Sequence, residues 1–158
     1  MNFKVDKTNN RVFVEREFAA PLKNVWAAWT QSELLDQWWA PLPWKTKTKT
    51  MDFRDGGHWL YAMMGPEGEK QWCRADYTKI IPLKQFSSRD SFCDEQGKAT
   101  GFPNSVWTSV FSEVEDGTLV SVSIQYDSLE NLGKVVEMGF REGFTSALEN
   151  LDRLFENK

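Results

Sequence analysis

The 158-residue chain holds one histidine and two cysteines, and so has few of the side chains that most often ligate transition metals or build nucleophile–base pairs. A Ser–His–Asp or Cys–His site, and most zinc sites, would have to use His58. Its strand parity sets it opposite Trp59 and Tyr61, outside any interior site, and no metal site is expected. Cys73 and Cys93 are too few for a secreted disulfide framework and read as reduced thiols on neighbouring strands. A basic excess is also missing. Lys and Arg number 19 against 23 Asp and Glu, a net charge of −4. That balance argues against a nucleic-acid groove and against docking on anionic membrane. No run approaches the about 18 apolar residues of a membrane span. The opening Met1-Asn-Phe-Lys-Val-Asp-Lys has no apolar stretch of the signal-peptide kind. The expectation is cytoplasmic. With no repeat, linker or low-complexity stretch, residues 1–158 read as a single domain, long enough to do without a disulfide or metal staple.

What the chain has in excess is aromatic: eight Trp and eleven Phe. Indoles carry a large apolar area and need a partner for the N–H when buried. Either a large core or a cavity must organise them.

The local pattern is that of a meander between helices. Arg11-Val-Phe-Val-Glu-Arg-Glu-Phe18 alternates as a strand. Pro21 stands where a helix favours its first residue, and Val25, Trp26 and Trp29 follow at helical spacing. Thr30-Gln-Ser-Glu33 fits a capping box for a second short helix carrying Leu34, Leu35, Trp38 and Trp39, which Pro41 and Pro43 end. Strands follow over Lys45–Phe53, His58–Met64, Gln71–Ile81, Lys84–Cys93, Ser105–Glu115 and Thr118–Tyr126, separated by Gly- and Pro-containing turns. The chain closes on Leu132, Val136, Phe140, Phe144, Leu148, Leu151 and Phe155, one face of a long helix. Strand, two short helices, about six more strands and a final long helix read as α+β, with the helix on one sheet face.

Four stretches together resemble a known family. They are Phe18-Ala-Ala-Pro-Leu-Lys-Asn-Val-Trp-Ala-Ala-Trp-Thr30 with Glu33-Leu-Leu-Asp-Gln-Trp-Trp-Ala-Pro41; Asp52-Phe-Arg-Asp-Gly-Gly57; Tyr77, Ile80 and Pro82 with Phe92-Cys-Asp-Glu-Gln-Gly97; and Glu142-Gly-Phe144 with Leu148 and Leu151-Asp-Arg-Leu154. The chain is similar to the homologues of the activator of heat-shock-protein-90 ATPase, within the START-like (SRPBCC) superfamily. The resemblance implies a helix-grip fold: a curved antiparallel sheet of six to seven strands wrapped on a long C-terminal helix, with two short helices after strand 1 and a cavity between sheet and helix. It implies less about activity, because this fold carries unrelated functions. The eukaryotic co-chaperone has an additional N-terminal module, whereas this chain begins directly with the helix-grip domain, which weakens the expectation of chaperone activation.

Strand parity supplies the candidate site. Trp59, Tyr61 and Met63 share one face, Trp107 and Phe111 another, and Phe86, Ser88, Asp90 and Phe92 a third. Phe140 and Phe144 come from the helical stripe, beside Gly139, Gly143 and Ala147. Trp38 and Trp39 are expected near the entrance. If Phe86 and Phe92 face inward, Ser88 and Asp90 do too, unless a strand bulge turns Asp90 to solvent. A buried carboxylate must be paired or protonated, and Arg74 on the adjacent strand is the candidate partner, as polar anchor or structural ion pair. The reading is a non-catalytic module that binds a small hydrophobic or amphipathic ligand, with no cofactor. Asp90, Ser88 and Arg74 form its polar element. The alternatives are a chaperone partner engaged as an ATPase-activator homologue, and a cyclase- or dehydratase-like enzyme using Asp90, Tyr61 and Arg74. Asp52–Gly57 reads as a tight entry into the Trp59 strand, and Lys45, Lys47 and Lys49 as guards on an edge strand.

Overall fold

The computed structural model describes residues 2–100 and 104–156. Among them, β1 (Asn2–Asp6) and β2 (Arg11–Phe18) precede α1 (Leu22–Thr30) and α2 (Ser32–Trp38). Six strands follow: β3 (Lys45–Met51), β4 (His58–Met64), β5 (Lys70–Ile81), β6 (Gln85–Cys93), β7 (Ser105–Val114) and β8 (Gly117–Tyr126). Two helices, α3 (Leu129–Glu137) and α4 (Phe140–Glu156), end the described chain. All strands pair antiparallel in one eight-stranded sheet of order β1-β2-β8-β7-β6-β5-β4-β3. The sheet is open, and its edges are β1 and β3. The three lysines of β3 therefore lie on an edge, as their alternation predicts.

The architecture fits a helix grip, with three corrections to the sequence reading. First, the sheet has eight strands rather than six to seven. β1 is the addition, a short strand that pairs Phe3 with Val14 and Val5 with Val12. The turn joining β1 to β2 is held by Asp6, which accepts hydrogen bonds from the backbone of Thr8 and Asn9. The two short helices consequently follow the second strand. Second, the capping box does not form. Gln31 is the N-cap of α2 and makes no side-chain cap bond, while the Thr30 hydroxyl donates to the Trp26 carbonyl at 2.8 Å. Third, the terminal helix is broken. Gly139 adopts φ +88°, a left-handed conformation natural to glycine at a helix C-terminus, and its N–H donates to Val136. The break resets the helical phase. Leu132 and Val135 are the buried residues of α3, and Val136 is left 38% exposed.

α4 lies on the inner face of the sheet. Leu148 and Leu151 are fully buried, the Phe155 ring packs edge-on against Phe18 at 6.0 Å, and Asp152 pairs with Arg16 of β2. Asn150, also buried, donates to the carbonyls of Ala40 at 2.9 Å and Trp38 at 3.4 Å. One amide thus ties α4 to the end of α2 and satisfies two carbonyls the helix leaves open.

Candidate functional site

Alternation sends Trp59, Tyr61 and Met63 of β4 inward together with Ala75 and Cys73 of β5, the registered neighbours of Trp59 and Tyr61, and with Tyr77 at the same parity. On β6, Phe86, Ser88, Asp90 and Phe92 share that face. Asp90 lies opposite Ala75 on one side and Ser105 on the other. β7 contributes Ser105, Trp107 and Phe111, and β8 ends on Tyr126.

The inward aromatics divide into two groups. One end of the interior is filled. Trp26 meets Phe111 at 5.0 Å and Phe86 at 5.9 Å, Phe53 meets Tyr77 at 4.8 Å, and Trp29 meets Trp38 at 4.9 Å, all edge-to-face. Close-packed T-shaped rings of this kind leave little space. At the other end lies a cavity of about 250 Å³. Its walls are Trp39, Pro41, Tyr61, Met63, Cys73, Asp90, Phe92, Ser105, Trp107 and Tyr126, with Val135, Met138, Gly139, Phe140, Gly143 and Phe144 of the helices as the roof. Met138 is 64% exposed and also lines the cavity, so the mouth lies where α3 meets α4. Trp39, Trp107, Phe140 and Phe144 contact one another at centroid distances of 5.4 to 6.1 Å and form an aromatic cage around the space.

Hydrogen bonds hold the cage rings in place. Trp39 Nε1 donates to the Tyr61 hydroxyl at 3.0 Å, and Trp107 Nε1 to Ser105 Oγ at 3.1 Å. Trp59 Nε1 donates to Thr48 Oγ1 at 3.0 Å, and that hydroxyl in turn donates to Asp36 of α2 at 2.6 Å. Trp29 Nε1 is buried without a partner among the described residues.

The polar element centres on Asp90. Ser88 Oγ donates to Asp90 Oδ1 at 2.6 Å. Burial pushes the carboxyl up from an ordinary value near 3.8 to about 7. The Ser88 donation opposes that rise, and the charge of Asp76 adds to it. Burial also raises Tyr61, Tyr77 and Tyr126, and pushes the Cys73 thiol up to about 12. Cys73 is therefore a protonated wall residue rather than a thiolate nucleophile.

Arg74 does not pair with Asp90. It is registered with Leu60 and Ser91, on the opposite face from Ala75. Its Nε donates to Asp76 at 2.8 Å and its Nη1 to the Gly97 carbonyl at 3.4 Å. It borders the cavity, but its guanidinium is committed elsewhere.

Of the residues chosen from the sequence, the structure brings Trp39, Tyr61, Met63, Asp90, Trp107, Phe140 and Phe144 around the cavity. Trp38 is placed in the core at 1% exposure, its Nε1 donating to the Ala28 carbonyl. Phe86 and Phe111 lie in the filled end. Trp59 and Ser88 line a small void of about 20 Å³ beneath the cavity, and Asp90, Trp39 and Trp107 face both spaces. Cys73, Ser105 and Tyr126 were missed, although parity with Ala75, Trp107 and Ile124 signals them. Val135, Met138, Gly139 and Gly143 depend on the helix break, which periodicity alone does not show.

His58 sits on the outer face, its Nε2 3.0 Å from Thr50 Oγ1. Arg54 Nε donates to Asp52 at 2.7 Å, and a side chain at Gly57 would meet the Asp52 carbonyl at 2.0 Å, so that stretch is a tight turn. Cys73 and Cys93 are unpaired, on opposite faces of adjacent strands. Among the described residues, no group of three or more His, Cys, Asp and Glu is placed to hold a metal. No described helix is long and apolar enough to cross a membrane.

An open antiparallel sheet gripping a C-terminal helix, with a cavity between the two, defines the START-like class of domain. The family model described as Activator of Hsp90 ATPase homolog 1-like protein matches residues 19–156, and the chain belongs to that family. Similar solved structures include protein Ms6760 from Mycobacterium smegmatis, 30% identical over 99% of this chain and 98% of its own, with a TM-score of 0.92. A protein from Arthrobacter aurescens is 28% identical, covers 99% of this chain and 92% of its own, and has a TM-score of 0.93. The AHSA1 protein from Silicibacter pomeroyi, 19% identical over 92% of this chain and 97% of its own, shares the fold at a TM-score of 0.74. No match is found among curated proteins.

Proposed function

We propose that this single helix-grip domain is a binding module that holds a small hydrophobic or amphipathic molecule between the sheet and the C-terminal helices. The observation that carries the reading is the cavity of about 250 Å³, caged by four aromatic rings and bearing one desolvated carboxylate. Ligand pockets are commonly apolar clefts of about 300–1,000 Å³ with a few placed polar groups. At about 250 Å³ this cavity lies just below that range, sized for a small ligand, and has the same division of labour. The apolar wall supplies burial, and Asp90 supplies orientation.

Native mass spectrometry of gently purified protein tests the reading, compared with a Gly143→Leu variant. Gly143 lines the cavity, and a Cβ there would stand 3.8 Å from Pro41, an ordinary contact, so leucine adds its bulk where the ligand would lie. The expected result is a bound mass on the parent chain that the folded variant loses. Equal masses for both, or no adduct on either after added apolar probes, would overturn the proposal.

A further inference from the structure

We infer, within the ligand-binding reading, that the cavity selects molecules that carry a protonated amine on an apolar body, the ammonium pairing with Asp90. Asp90 projects from the middle of β6, and its cross-strand neighbours are Ala75 and Ser105. Both are too small to cover the carboxylate, so its free edge faces the cavity. Ser88 is the hydrogen-bond donor to the carboxylate among the described residues, and it uses one of the two oxygens. The other is left for whatever enters.

The groups around Asp90 supply no countercharge. β4 presents Tyr61, β5 presents Cys73 and Tyr77, and β8 presents Tyr126. The nearby charged groups are Asp76, which repels Asp90, and Arg74, which is tied to Asp76 and Gly97. From the helical side the lining residues are Trp39, Pro41, Val135, Met138, Gly139, Phe140, Gly143 and Phe144, none of them charged. A lone buried carboxylate needs a cation or a proton. The rings of Trp39, Trp107, Phe140 and Phe144 line the cavity, and aromatic faces attract a cation rather than an anion. An alkylammonium meets both demands and leaves its chain to the apolar wall.

A matched set of probes, hexylamine, 1-hexanol and hexanoate, tests the inference, followed by calorimetry and by the fluorescence of Trp39 and Trp107. An alkylammonium with a lysine-like pKa of about 10.4 stays charged from about pH 5.5 to about pH 8.5, so Asp90 is the group whose charge changes. At about pH 8.5 hexylamine should bind at least about tenfold more tightly than hexanol, and that margin should shrink by about tenfold or more at about pH 5.5. In Asp90→Asn, checked for folding by circular dichroism, the amine-to-alcohol ratio should collapse toward one. Hexanol or hexanoate matching hexylamine at high pH, or an Asp90→Asn protein that keeps the ratio, would overturn the amine inference while leaving the binding-module reading intact. If none of the three probes binds, both fail.

Discussion

Alternation along β6 sends Phe86, Ser88, Asp90 and Phe92 to one face, so Asp90 points inward because its neighbours two residues away do. What alternation leaves open is the partner. Arg74, adjacent in the sheet, has the opposite parity and serves Asp76 instead. The carboxyl is left desolvated with one hydroxyl donor, and its pKa rises to about 7. Its effect on stability has a definite sign. In the unfolded chain the group ionises near 3.8, in the folded chain near 7, so between those values the folded state holds the extra proton. Stability is therefore greatest below the lower value and is lost as pH climbs to about 7. Asp90→Asn keeps an oxygen for Ser88 and removes the charge. It should be more stable than the parent at about pH 8 by roughly 1–3 kcal/mol, a gap that narrows steadily toward about pH 5. Urea unfolding at both pH values measures it. A constant gap would mean that Asp90 does not titrate in this window.

At the level of elements, the C-terminal stripe shows how a correct periodicity can hide a break. Leu132, Phe140, Phe144, Leu148 and Leu151 pack inward or half-inward as the repeat predicts. Val136 does not, because Gly139 ends α3 in a left-handed turn and α4 restarts with its own phase. The two glycines therefore have opposite roles. Gly139→Ala places a side chain in the left-handed region and should cost about 1–2 kcal/mol. Gly143, inside α4 with space for a Cβ, should gain roughly 0.5–1 kcal/mol as alanine. Thermal and chemical unfolding of the two variants checks both signs, and equal effects would argue against a break at this position. The break also shapes the cavity, because Val135, Met138 and Gly139 reach its roof only through that turn.

For the molecule as a whole, the question posed by eight tryptophans and eleven phenylalanines was core or cavity, and the interior contains both. Trp26, Trp29, Phe53, Phe86 and Phe111 close-pack one end, and the cage stands open at the other. Under the binding-module reading, occupancy must appear as global stability. At a free ligand concentration about a hundredfold above Kd the native state gains about 2.7 kcal/mol. For a domain of this size that corresponds to a rise in Tm of roughly 5–10 °C. Scanning calorimetry of the protein before and after passage over a hydrophobic resin, and again with hexylamine added back, reads it directly. Identical midpoints throughout would count against an occupied cavity.

The sequence by itself determined the α+β class, the antiparallel meander, which side chains of each strand share a face, Asp90 with Phe86 and Phe92 among them, and the parity that separates His58 from Trp59 and Tyr61. These are local properties. Side chains alternate with period two along a strand and recur with period 3.6 along a helix wherever the chain then goes. The short strand β1 escaped because five residues carry too little alternation to stand apart from a terminus. The capping box read from Thr30–Glu33 does not form because the Thr30 hydroxyl donates to a carbonyl in the preceding turn. Tertiary structure alone decided which aromatics meet, since Trp38 and Trp39 are adjacent in sequence yet one is sealed in the core and the other lines the cavity. It also decided that Arg74 turns away from Asp90. A void is the volume that packed side chains fail to fill, and that shortfall exists only once the sheet and helices have closed on each other.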